Sequence, residues 1–544
     1  MNGMLWMSVL VPLACAALAV SVPARKAGLA RWFAAVGSGT TLLLGLVTLA
    51  EFAARPGAQF RFVASAPWST ALGASWTVGV DGIGAAMLAL SGLITAIATI
   101  AAFRQERFPR LYHALVLVLL AAMNGVFTSL DLLLFYVCWE AVLLPMLPLI
   151  GVFGGAQRRY AALKFFVYTL AGSVLMLATL FGLWHGTPAA GRTVAVPPAV
   201  LAAHAGAAAT TLHGLPVTPA NGTAPATVQV PRGFDVRHLA LQHEAIATTP
   251  FLGLSLATFG LLAVLLACLV KIPAVPLHTW LPHAHVQAPT AVSVLLAGVL
   301  LKLGVYGLYR IAIPLFPHAV RDVAPWLGWL GLAGILWGAV AALGQRDWKR
   351  LVAYSSVSHM GFCLLGPASG TVVGMTGGMV QAVTHGLTAA MLFLLVGVVY
   401  DRAHHRDVDG FGGLAKPMPR FAWLLLLASL ASAGLPGLCG FVGEFGVLLG
   451  GFTGPTPFPA VAGFATLAVV LSAAYLLWTQ KRVAYGPLAH EDHGGFADLD
   501  RRELAALLPL AVLAVLVGIW PKPLADALQP ACELLVQQLH GGRP

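Results

Sequence analysis

The sequence predicts an all-α integral membrane protein with about fourteen transmembrane helices and two inverted repeats, in which helices seven and twelve are broken. Three observations carry that prediction. Of the 544 residues, 59% are hydrophobic and only 9% are charged, and the mean hydropathy is +0.85; soluble domains are about 25% charged, so lipid must be the solvent here. Apolar segments long enough to cross a bilayer recur along the whole chain. Two of them are interrupted by Pro and Gly beside a buried charge, the trace expected of a transporter with inverted repeats.

In chain order the apolar segments lie near 3-22, 32-52, 82-103, 112-129, 131-153, 160-184, 250-272, 288-314, 325-344, 350-367, 371-400, 419-450, 459-480 and 503-521. The first has Arg25, Lys26 and Arg31 after it rather than before it, so it reads as a retained span and not as a signal peptide. Residues 185-249, rich in Ala, Pro, Thr and Gly, read as a long external loop, partly irregular. After Trp520, the residues Leu524, Leu528, Cys532, Leu535 and Leu539 recur at helical spacing, which predicts a short amphipathic helix on the membrane surface or against a neighbour. The chain divides into helices 1-3 (1-110), a first repeat of helices 4-8 (111-315), a second repeat of helices 9-13 (316-485), and a last helix with its tail (486-544).

Charge supplies an independent check, because cytoplasmic loops hold the excess Lys and Arg. With the N-terminus outside, nineteen of the 31 Lys and Arg fall in odd-to-even connections, Lys349 among them, and nine on the opposite side, including Arg310 and Arg543. Lys164, Lys271 and Lys302 fall inside spans. The net charge of +11 is therefore mostly topology; these residues sit in short loops beside lipid headgroups, with no aromatic-interleaved patch for nucleic acid. The six cysteines are scattered singly and no histidines cluster at metal-ligand spacing, which argues against a chain-borne iron–sulfur or zinc site. No nucleotide-phosphate loop is present either.

Chemistry begins where polar residues enter the bilayer, since a charge at a span's centre costs roughly 2.5–3.5 kcal/mol on insertion scales. Glu140 lies deep in D-L-L-L-F-Y-V-C-W-E-A-V-L-L-P-M, too far in for a short side chain to reach water. Lys271 opens K-I-P-A-V-P-L-H-T-W-L-P, where Pro273 and Pro276 break the span mid-membrane. Lys302 follows in L-A-G-V-L-L-K-L-G-V-Y-G, and Glu444 follows the break G-L-P-G-L-C-G-F-V-G-E-F. Between these charges lie His359 and His385, each near the middle of a span; an imidazole titrates near neutrality and suits a proton relay. Structural helix-to-helix pairing is the alternative for the charged residues, and a satisfied core histidine the alternative for the histidines. Lys164 is equally placed to snorkel to the interface beside Arg158 and Arg159. His278 and His283, flanking Trp280 and Pro282, fit either a relay or a loop-facing position.

These stretches carry a resemblance. The run K-I-P-A-V-P-L-H-T-W-L-P-H-A-H-V-Q-A-P-T, with L-A-G-V-L-L-K-L-G-V-Y-G, V-D-G-I, F-Y-V-C-W-E, K-F-F-V-Y-T-L-A-G-S, A-Y-S-S-V-S-H-M-G-F and L-P-G-L-C-G-F-V-G-E-F, closely resembles the antiporter-like membrane subunits of proton-pumping NADH:quinone oxidoreductase, respiratory complex I. It is most similar to the chain M type, because the twelfth span ends in Glu444 where the sister subunits usually place a lysine. The resemblance implies that Glu140 pairs with Lys271 of the broken seventh helix, that Lys302 is the connecting lysine, that His359 and His385 form the central axis, and that Glu444 is the terminal group. It also implies a bacterial inner-membrane location, membrane-arm partners including the two sister subunits, and no cofactor on this chain; FMN, iron–sulfur clusters and quinone belong to partner subunits. Two departures limit the transfer. The family usually has Asp in L-P-D-A-H, where this chain has His283, and the loop 185-249 is longer than expected.

The expected activity is therefore proton translocation in a non-redox subunit. Lys271 loads from a cytoplasmic half-channel, Lys302 and the histidines pass the proton on, and Glu444 discharges it outside. A subunit of a multi-subunit cation/proton antiporter is the main rival reading, with a hydrogenase membrane arm and a purely structural scaffold as more distant ones.

Overall fold

The computed structural model describes residues 3–188, 190–196, 201, 211–219 and 225–541. Parts of the 185-249 loop, and Arg543, lie outside these residues. Eleven helices are long and apolar enough to cross a membrane, among the described residues. They include α1 (Met7–Ser21) and α2 (Ala30–Ala54), which precede a hairpin of β1 (Arg61–Ser69) and β2 (Ala74–Val80). Next come α3 (Gly82–Ala101), α4 (Pro109–Thr128), α5 (Leu132–Gly151) and α6 (Arg158–Gly186).

The predicted external loop holds more order than its composition promised. Strands β3 (Arg192–Ala195), β4 (Thr211–Leu212), β5 (Leu215–Thr218) and β6 (Thr227–Val230) form a small antiparallel sheet in the order β3-β6-β5-β4. Val228 and Val230 of β6 alternate inward onto Val196 and Leu212, which gives the sheet a private apolar core. Two short helices, α7 (Val236–Ala240) and α8 (His243–Thr248), return the chain to the bundle.

The seventh span is broken where Pro273 and Pro276 deny it donors. Helix α9 (Leu256–Lys271) stops at the lysine, and α10 (Trp280–Gln287) resumes after the gap. The eighth span, α11 (Thr290–Leu315), is buried throughout its apolar window. It contains two π-helical segments, Leu296–Leu300 and Leu308–Ala312, on either side of Lys302. The second half follows with α12 (Pro317–Leu343), α13 (Trp348–Ala368) and the equally buried α14 (Val372–Ala403). The twelfth span splits into α15 (Pro419–Ser432) and α16 (Cys439–Phe452). Gly434 and Gly437, both at positive φ, carry the turn between them. Helices α17 (Phe458–Ala484) and α18 (Arg501–Ile519) complete the bundle, and α19 (Lys522–Leu539) is the predicted amphipathic tail.

Each predicted span thus has its helix, with the seventh and twelfth divided. Each broken span is the fourth in its predicted group of five. Large apolar side chains face outward on the peripheral helices, Leu43, Leu144, Leu163, Val470 and Ile519 among them. Such an exposed belt needs hydrocarbon around it. Lys302, His359, His385 and Glu444 are held inside, on α11, α13, α14 and α16.

Candidate functional site

The four central helices bring their titratable groups into one row. Lys302 on α11 donates from Nζ to His385 Nδ1 on α14 across 2.8 Å, and also to the Ala297 carbonyl. That carbonyl belongs to the π-helical turn before the lysine, where the wider backbone register presents it to the side chain. The His385 and His359 rings lie 5.4 Å apart, centre to centre. His359 on α13 then meets Glu444 on α16, Nδ1 to Oε1 at 3.1 Å. All four side chains are buried.

Two further groups fix the end of the row. An ionised Glu444 can only accept, which puts the His359 proton on Nδ1 and leaves Nε2 to accept from Ser432, the last residue of α15, at 3.2 Å. Gln381, one turn before His385, donates from Nε2 to Glu444 Oε1 at 3.4 Å and touches His359 Nδ1 at 3.3 Å. Close packing makes this possible: a Cβ on Gly443 would lie 2.6 Å from the Gln381 Cα. Glycine there lets α16 deliver Glu444 directly onto α14.

Lys271 occupies a separate station. It caps the C-terminus of α9, where carbonyl dipoles favour a cation, and donates to the Trp139 carbonyl at 3.1 Å. Its Nζ also sits 3.9 Å above the Trp139 ring, a cation–π contact. The next residue is Glu140, whose Oε1 has no hydrogen-bond partner among the described residues. No direct ion pair joins Lys271 to Glu140 among them; the two are neighbours through the Trp139 peptide. Helices α9 and α11 nevertheless approach closely, since a Cβ on Gly304 would lie 2.7 Å from the Cys268 carbonyl oxygen. This brings the two lysine-bearing spans into backbone contact.

Of the remaining predicted residues, Lys164 reaches His283, Nζ to Nδ1 at 3.4 Å. His283 Nδ1 already donates to the Thr279 carbonyl at 2.8 Å, so it has no lone pair there to offer the lysine. Lys164 also lies 5.7 Å from the Tyr168 ring centre. His278 is buried with Nδ1 unpartnered among the described residues. Neither histidine joins the central row.

Sequence reasoning missed several polar groups. His285 is fully buried, stacks on Phe393 with centroids 4.3 Å apart, and has both ring nitrogens unpartnered among the described residues. The fields of Lys302 and Lys349 both reach it. Lys349, counted as a loop residue, is buried in α13 and donates to the Ala288 carbonyl at 2.5 Å. It lines a cavity of about 400 Å³ together with Gln105, Tyr112, Gln287, Asp401 and Arg406. Arg310, counted among the outer charges, is also buried, paired to Asp81 at 2.6 Å. Gln381 was detectable, since its spacing of four from His385 puts both on one helix face; the burial of Lys349 and Arg310 left no local mark.

The comparisons with known proteins agree with this architecture. The profile of the NADH:quinone oxidoreductase/Mrp antiporter transmembrane family matches residues 129–210 and 235–471. NADH-quinone oxidoreductase subunit M of Rhodobacter capsulatus is 38% identical over 551 residues, covering 99% of this chain and 98% of that protein. A chain of respiratory complex I from Thermus thermophilus superposes with a TM-score of 0.80 at 30% identity, covering 98% of this chain and 99% of the other. A chain of the Mrp complex from Dietzia shares the fold, with a TM-score of 0.77 at 21% identity and 99% coverage of both chains. On the profile match and the full-length relatives together, the chain belongs to the NADH:quinone oxidoreductase/Mrp antiporter transmembrane family.

Proposed function

We propose that this chain is a proton-translocating membrane-arm subunit of an NADH:quinone oxidoreductase, without redox chemistry of its own. The observation that carries the proposal is the buried row Lys302–His385–His359–Glu444, hydrogen-bonded at both ends with the two histidine rings 5.4 Å apart in the middle. A satisfied structural pair has no need of two histidines in series between a lysine and a carboxylate. Full-length similarity to a subunit M supports the same reading.

In this scheme Lys271 is the gated group and Glu140 its regulator. Two unit charges about 10 Å apart at an effective dielectric near 20 interact by roughly 1.7 kcal/mol, more than one pKa unit. A small displacement of Glu140 therefore switches Lys271 between holding and releasing a proton. The proton passes to Lys302, whose bond to His385 hands it to the histidine pair, and Glu444 discharges it on the outer side. The cavity at Lys349 supplies water from the cytoplasmic side. Each proton moved against the potential needs about 2.3 kcal/mol per 100 mV, and partner subunits carrying FMN, iron–sulfur clusters and quinone provide it. The sister antiporter-like subunits, the bacterial inner membrane, the external N-terminus and the repeat boundaries near 111-315 and 316-485 belong to the same proposal.

Replacing Lys271 by Ala in the assembled enzyme is expected to abolish proton pumping coupled to NADH oxidation while the subunit still assembles. Unchanged pumping would sink the assignment. The Mrp-like fold keeps a cation/proton antiporter as the second reading; sodium-dependent exchange in vesicles without NADH would favour it.

A further inference from the structure

On the face that carries the β3–β6 sheet, two histidines and a carboxylate converge from distant parts of the chain. His243 and Glu244 open α8, just before the broken span, and His318 lies in the first turn of α12. His318 Nε2 stands 3.1 Å from Glu244 Oε1, and His243 Nε2 stands 3.4 Å from the same oxygen. One ligand atom from each residue lies within 4.8 Å of the others.

The hydrogen bonding around His243 fixes which of its ring nitrogens faces the carboxylate. Its Nδ1 lies 3.0 Å from the Ala240 carbonyl, which can only accept, so Nδ1 carries the proton. In the neutral ring Nε2 is then a bare lone pair, aimed at a carboxylate oxygen: acceptor against acceptor. A proton on Nε2 or a metal cation between the two groups removes the conflict, and the convergence of His318 on the same oxygen favours the metal. A histidine whose far nitrogen is tied to a backbone carbonyl is also the usual support of a metal-binding imidazole.

We propose that His243 Nε2, Glu244 and His318 Nε2 form a binding site for a divalent transition metal of the zinc class. Two imidazoles and one carboxylate are the donor set of a tetrahedral zinc site with one open position. Ligand bonds of about 2.0–2.2 Å in a tetrahedron place donor atoms about 3.3 Å apart, which the two short edges already match. The set favours zinc, cobalt, nickel or copper over magnesium and calcium, which take oxygen ligands. The adjoining cavity of about 470 Å³, lined by Arg192, His243, Glu244 and Pro317, brings water to the open position. His318 shifts its proton to Nδ1 when it ligates.

The site joins the two halves of the bundle. Its first two ligands precede α9, which ends at Lys271, and its third begins α12. Bound metal therefore staples the loop to the boundary between the predicted repeats. Ligand spacing along the sequence gave no hint of it, because His318 and Glu244 are 74 residues apart.

The test uses the full chain, purified in detergent, stripped with chelator and titrated with Zn²⁺ by calorimetry and with Co²⁺ by visible absorption. One equivalent of Zn²⁺ per chain is expected at this site, with a tetrahedral Co²⁺ spectrum and no competition by excess Mg²⁺. His243→Ala and His318→Ala should each weaken binding at least tenfold, and the double variant should lose one equivalent. Because these side chains are partly exposed, the metal-free melting temperature should not change; His318→Gln serves as the polar-conserving check on folding. Absence of saturable uptake, or equal uptake by wild type and the double variant, overturns the proposal.

Discussion

At the residue scale the molecule separates charges that work from charges that hold. Arg310 and Asp81 are buried toward the C-terminal end of α11, and Asp81 also caps α3 by accepting from the Gly84 amide at 2.9 Å. Removing one partner of a buried pair leaves an uncompensated charge, at a cost of about 3–5 kcal/mol. Arg310→Leu should therefore lower thermal stability by that order, and Asp81→Ser combined with Arg310→Leu should recover much of it, because serine keeps the cap. Equal melting temperatures for the single and double variants would refute the pairing argument. Under the proposed function Glu444 belongs to the other class. Glu444→Gln keeps the shape of the row and its Gln381 contact but removes the titrating carboxylate; proton pumping should fall by about a hundredfold with assembly intact, as measured by acidification in proteoliposomes. Glu140, Lys271, Lys302 and Glu444 were legible as residues because each stands alone in apolar sequence, where a charge is costly. Their partners were not. Ser432, Gln381 and His285 are ordinary polar residues until three helices pack around them.

At the scale of elements, the sequence pattern specified helices and breaks far better than strands. Proline and glycine interrupt the seventh and twelfth spans at the positions where α9 and α15 end. The small sheet escaped notice because Thr227–Val230 and Leu215–Thr218 are too short for a period-two signal to stand out in an Ala- and Thr-rich loop. The tail α19 was visible from its apolar spacing, and it meets α3 at a close approach. A Cβ on Gly82 would collide with the Ala527 carbonyl, so Gly82→Ala should lift α19 from α3 at a cost of about 1–3 kcal/mol. Faster amide exchange across Lys522–Leu539 is the expected signature, and unchanged exchange would contradict it. The connection between α17 and α18 holds a different device. His493 stacks on Phe496 at 4.7 Å and faces His405 and His490, with Asp492 nearby. Burial holds its imidazole below the ordinary value of 6.5, and the two histidines push it further down, against a smaller opposing pull from Asp492. A group that is harder to protonate when folded stabilises the fold fully above its unfolded pKa, and loses that contribution as pH falls below it. Amide protection across 487–497, corrected for the intrinsic exchange rate, should therefore fall below about pH 6.5, and replacing His493 by Phe should flatten that dependence.

For the whole molecule, the charge asymmetry read along the chain becomes two opposed faces. Arg104, Asp401, Arg402, Asp500 and Arg502 gather around one surface cavity, drawing together the connections between spans three and four, eleven and twelve, and thirteen and fourteen. Phe60, Arg192, His243, Pro317 and Leu535 line another cavity, where the hairpin, the loop sheet and α19 meet. Lys349 and Arg310 were counted as surface charges although both are buried, one toward each face, so their removal leaves the imbalance standing. Each Lys or Arg near an anionic leaflet is worth about 1 kcal/mol, and the basic face collects most of them. On the proposed topology it is the cytoplasmic one. With the fourteen spans of that proposal the chain returns to its starting side, so that the start of α1 and the whole of α19 lie outside. Alkaline phosphatase fused after α19 should be active in cells, and a fluorescent protein inserted near Glu491 should fold and fluoresce in the cytoplasm. The reverse pair of results would invert the bundle, and with it the direction in which Lys271 loads and Glu444 discharges.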